Sequence, residues 1–203
     1  MILLTLEGLP HSGKCAVLRC LMQRCPGWKA VNVAPSPLPS CSWTSPSCRT
    51  SHALFSALLR KVRALSAAPC EPRVVMFNCP WFEHLPRNST LDTLLTSATQ
   101  HLIRSVECDV SLHIMVLLHV HHDETFEQMV NCGNPFWNGT SIADVHAAQD
   151  RIAGTLARLA AGTEDHPFPC ATHTVKCPPF FEENEVVVHH IAQTIVDIVA
   201  GTV

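Results

Sequence analysis

Charge is sparse in this sequence. Only 15% of its 203 residues are Asp, Glu, Lys or Arg, and the formal net charge is −3. No broad basic surface is available to hold a polyanion, so nucleic acid is not an expected partner. No apolar run reaches the roughly 18 residues that a membrane span needs, which argues against a membrane protein. The N-terminus has no basic region followed by a small-residue cleavage site, because Ile2 to Leu6 lead straight into a glycine loop. The expectation is a cytoplasmic chain. No C-x-x-C occurs among the eleven cysteines, and their odd number in a reducing compartment speaks against a disulfide framework. Cys15, Cys20 and Cys25 lie five apart and turn to different faces of a helix, so they read as buried or idle thiols and not as a zinc site. Internal repeats are also lacking.

What the chain does have is apolar content, 47% of it, enough to build a single core of ordinary size over residues 1–203. Largely apolar stretches at Ile2–Leu6, Arg73–Phe77 and Leu112–Val120 read as strands buried on both sides, and Thr172–Lys176 as a last one. Helical periodicity falls at Lys14 to about Arg24, Ser51 to about Ser66, Leu91 to about Val106, Asp123–Val130, Ile142–Ala161 and Glu183–Ala200. A Pro/Ser-rich loop lies at about 34–51. Strands alternating with helices predict an α/β fold: a parallel sheet of about five strands with helices on both faces.

The loop after the first strand spells Gly8-x-x-x-x-Gly13-Lys14. Two glycines let backbone N–H groups converge at a helix N-terminus, and a lysine there can reach the β/γ oxygens of a bound nucleotide. Gly8, His11, Ser12, Gly13, Lys14 and Cys15 are therefore the candidate phosphate-binding residues. The position of the motif, with a strand before it and a helix after it, argues against a chance match.

The words "LEGLPHSGK", with Glu7-Gly8 opening the loop and Ser12-Gly13-Lys14 closing it, resemble the deoxynucleoside kinases, including herpesvirus thymidine kinases, and the related thymidylate kinases. The order of later segments is similar as well, including a lid-like segment at about 131–140 and the helix "TSIADVHAAQDRI" after it. The resemblance implies a three-layer P-loop fold, ATP and Mg²⁺ as cofactors, a nucleoside or nucleotide as substrate, and phosphoryl transfer between them. A homodimer is left open. Glu7 at the loop entrance, with Trp81 and Phe82, falls on the implied substrate side; the two rings could stack on a base or could equally plug the core.

Several parts depart from that family. Cys15 replaces the Ser or Thr hydroxyl that faces magnesium, offering a soft sulfur to a metal that prefers hard oxygen. Asn78-Cys79 stand where the family ends a strand with its catalytic acid and an arginine, and an amide cannot take a proton at neutral pH. Glu83 could replace the acid and Arg87 the arginine, or both could be solvated loop charges. No Lys or Arg occurs from Ser105 to Asp150, so Gln128, Cys132 and Asn134 stand where the lid arginines belong. Tyrosine, which the family often sets beside the sugar, is absent from the whole chain. The catalytic residues to expect are Lys14, Glu83 and Arg87. The strand tip "LHVHHD", with His119, His121, His122 and Asp123, offers either substrate contacts or a metal pair. A catalytically dead nucleotide-binding relative that works through partners is the competing expectation.

Overall fold

The computed structural model describes residues 1–9, 12–31, 74–77, 110–120, 123–131, 141–162, 169–178 and 181–202. Five parallel strands form one sheet: β1 (Ile2–Glu7), β2 (Lys29–Val31), β3 (Val74–Phe77), β4 (Leu112–Val120) and β5 (Cys170–Cys177). Their spatial order is β2-β3-β1-β4-β5. The described helices are α1 (Lys14–Arg24), α2 (Asp123–Asn131), α3 (Ile142–Ala160) and α4 (Glu185–Thr202), with a single 3₁₀ turn at Phe181–Glu183. The α/β architecture with a five-stranded parallel sheet is as the sequence predicts. None of the described helices is long and apolar enough to cross a membrane.

The central strands are central because both of their faces are apolar enough to be covered. Leu3, Leu4 and Leu6 of β1 are buried, as are all residues of β4 from His113 to Leu118. β2 was not foreseen. It is three residues long, begins with a lysine and lies at an edge, and is held by its register with β3, Lys29↔Val75 to Val31↔Phe77. β5 runs two residues further at its N-terminal end and one at its C-terminal end than the periodicity indicated, because pairing with β4 from His113↔Cys170 to Val120↔Cys177 extends it. The predicted helices at 51–66 and 91–106 and the Pro/Ser-rich loop lie outside the described residues, as does nearly all of the lid-like segment.

Chain direction distributes the helices. From β1 the chain moves through α1 toward the β2 edge; from β4 it moves through α2 and α3 toward the β5 edge. Right-handed crossovers in opposite directions put their helices on opposite faces. α1 and α4 pack together on one face, while α3 lies on the other, where Cys170 Sγ approaches Leu159 O at 3.9 Å. The start of α3 is well specified. Ser141 accepts from the Asp144 N–H at 3.2 Å, and the Ser141 N–H donates back to Asp144 Oδ2 at 3.0 Å, a reciprocal capping box.

Because β3 and β4 lie on either side of β1, the chain reverses its sense of travel at β1. In open α/β sheets, the crevice beyond the carboxyl ends of the strands at such a reversal is where ligands bind. The glycine loop follows β1 into that crevice.

Candidate phosphate-binding site

β1 ends at Glu7, fully buried and paired in register with Leu117. The loop then turns on Gly8, whose φ of +143° is open to glycine and costly for other residues. Space demands the same residue: a Cβ on Gly8 would stand 2.8 Å from Ser12 Oγ and 3.0 Å from Leu118 O. The Ser12 N–H donates to Leu9 O at 3.1 Å and closes the turn.

Gly13, with φ +70° and ψ 6°, is the left-handed residue from which α1 starts. Its carbonyl accepts from the N–H groups of Ala16 (3.0 Å) and Val17 (3.2 Å), so the helix is bonded from its first turn. A Cβ here would fall 2.2 Å from Cζ of Phe181, which is buried and opens the 3₁₀ turn between β5 and α4. The loop is thus walled by an aromatic ring from the far end of the chain. Nothing in the local sequence signals that contact.

Lys14 is 6% exposed, and its ammonium turns back into the loop. Nζ donates to Gly8 O at 2.9 Å, to Leu9 O at 2.5 Å and to Ser12 Oγ at 3.4 Å. A buried ammonium is tolerated only with such oxygens around it. The same reach would let it meet phosphate oxygens. Ser12 is buried beside it, whereas Cys15, the second residue of α1, is exposed. Burial pushes the thiols of Cys20 and Cys25 up from their ordinary range, with Arg24 pulling the other way.

The structure thus brings Glu7, Gly8, Ser12, Gly13, Lys14 and Cys15 together around one turn. His11, Trp81, Phe82, Glu83 and Arg87 lie outside the described residues, together with Asn78-Cys79 and His121-His122. Among the described residues, no three His, Cys, Asp or Glu side chains gather as metal ligands.

Two further buried polar groups lie along β4, one near its start and one at its tip. His113, buried in β4, has Nε2 3.1 Å from Thr5 Oγ1 of β1. Gln149 of α3, also buried, bonds the backbone at the tip of β4. Gln149 had a visible signal. The buried residues of α3 are Val145, Gln149, Ile152, Leu156 and Leu159, so an amide interrupts an otherwise apolar stripe.

No protein-family model matches the chain, and a search of the curated proteins finds no significant relative.

Proposed function

We propose that this chain is a divergent P-loop protein of the nucleoside and nucleotide kinase type. It binds ATP with Mg²⁺ at the Gly8–Cys15 loop and transfers a phosphoryl group to a (deoxy)nucleoside or nucleoside monophosphate. The observation that carries the reading is the placement of that loop. It follows the central strand of a β2-β3-β1-β4-β5 parallel sheet, opens α1, and holds a buried lysine aimed into its own carbonyls. Converging N–H groups at the positive end of α1 suit a triphosphate, and Lys14 supplies the countercharge once a phosphate draws it from Gly8 O and Leu9 O.

Transfer needs a base and positive charge over the leaving oxygens. Glu83 and Arg87 are the residues this reading assigns to those tasks, with Trp81 and Phe82 beside the base and Glu7 beneath the substrate.

A second reading is favoured by three substitutions: Cys15 for a hydroxyl, Asn78 for an acid, and no Lys or Arg from Ser105 to Asp150. It is a nucleotide-binding pseudokinase that acts through protein partners. One experiment separates the two. Purified protein is mixed with ATP, Mg²⁺ and a panel of nucleosides and nucleoside monophosphates, and ADP is followed. Turnover that disappears in Lys14→Ala supports the kinase. Absence of turnover, with heat stabilisation by ATP of about 2.7 kcal/mol at a hundredfold excess over Kd, supports the pseudokinase. Absence of both overturns the nucleotide reading.

A further inference from the structure

The amide of Gln149 finishes β4 in place of a strand. The Val120 N–H donates to Gln149 Oε1 at 3.1 Å, and Gln149 Nε2 donates to Val120 O at 2.6 Å. These are the two bonds a neighbouring strand would have made. Pairing with β1 stops at Glu7↔Leu117, so Val120 projects past the end of β1. Alternate residues of a strand turn their N–H and C=O to the same edge, which places those of Val120 on the edge of Leu118. The Leu118 oxygen is the one a Cβ on Gly8 would approach to 3.0 Å. Gln149 therefore fills the rung that β1 vacates when it turns into the phosphate loop.

The same nitrogen, Nε2 of Gln149, lies 3.3 Å from Nε2 of His119. A backbone N–H only donates and a carbonyl only accepts, so the contacts with Val120 fix which end of the amide is oxygen and which is nitrogen. The nitrogen's second hydrogen then points to His119, whose Nε2 must accept. An imidazole that accepts at Nε2 is neutral and carries its hydrogen on Nδ1.

We propose that Gln149 is a positioning residue of the candidate site. It holds the tip of β4 against the phosphate loop and fixes His119 as the neutral Nδ1–H tautomer. The functional half of this inference rests on the nucleotide reading; the tautomer does not.

Gln149→Glu is the diagnostic change. A carboxylate can still accept from the Val120 N–H but can only accept from His119, so Nε2 must become the donor. Long-range ¹⁵N–¹H spectra of the full chain read the tautomer, with His119→Gln used to assign the resonance. Wild type is expected to show Nδ1–H, and Gln149→Glu to show Nε2–H or a doubly protonated ring. Nε2–H in the wild type, or no change in the variant, overturns the inference. If Gln149→Glu does not fold, Gln149→Met removes the N–H without adding charge. A mixed tautomer is then expected, and an unchanged Nδ1–H pattern overturns the inference. Binding of Mg²⁺–ATP is measured in parallel. Gln149→Met should weaken it about tenfold, the effect of losing one buried hydrogen-bonding partner. Wild-type binding retained in that variant removes the positioning role. No ATP binding by the wild type, with the tautomer as stated, removes the nucleotide reading and leaves the tautomer standing.

Discussion

The two faces of the sheet are built from the same three inner strands and do different work. On one, β3, β1 and β4 present Val74, Met76, Leu4, Leu6, Ile114, Val116, Leu118 and Val120, apolar without exception and buried under α1 and α4. The other face carries Thr5 and Glu7 from β1 and His113 and His119 from β4, interleaved with Leu3, Met115 and Leu117, and α3 adds Gln149. One face is a stabilising slab. The other spends part of its area on polar groups that must be matched one by one, and these rise along the strands toward the crevice. Buried polar groups destabilise a core unless each is bonded, so this side depends on specific partners where the other depends on packing alone.

Substitutions can break or sharpen that contrast. On the apolar face, Leu4→Ala or Ile114→Ala should cost about 2–5 kcal/mol, a transfer loss plus a cavity, read by urea unfolding. A loss under 1 kcal/mol would mean that the slab is loosely packed. At the loop, Gly13→Ala must adopt a left-handed backbone and push against Phe181, with an expected loss of about 1–3 kcal/mol. The steric part should shrink in a Phe181→Ala background; if the two losses simply add, the ring does not wall the loop. On the polar face, Thr5→Val keeps the shape but removes the hydroxyl from His113 Nε2, for a loss of about 1–2 kcal/mol. A neutral result would show that His113 does not need that partner. Smallest is the surface link between α1 and α4, where Arg24 bonds His189 (3.2 Å) and Gln193. Arg24→Ala should change stability by no more than about 1 kcal/mol, as exposed pairs do, and a larger effect would make the helix pair more than two partners on one apolar slab.

The slab was legible in the sequence, and the polar face largely was not. Leu112–Val120 declares itself as a buried strand through length and hydropathy alone, and its observed limits are those predicted. Ile142 and Glu183 marked the starts of helices to within two residues because caps and periodicity are local signals. β2 was missed because three residues with a lysine carry no period; only the neighbouring Val75 makes them a strand. Of the site, the Gly8–Cys15 turn could be read because its geometry is encoded by glycine spacing. Thr5 with His113, and Gln149 with His119, could not, because each pair joins residues distant in the chain whose meeting depends on register. Phe181 is the extreme case, since its role exists only once β5 and β1 share a sheet.

That last contact has a consequence for how the molecule is made. Gly13 leaves the ribosome well before Phe181, so the turn it occupies has no aromatic wall until the segment after β5 has been made. A chain interrupted between β1 and β5 would carry the glycine motif without the ring that packs against Gly13.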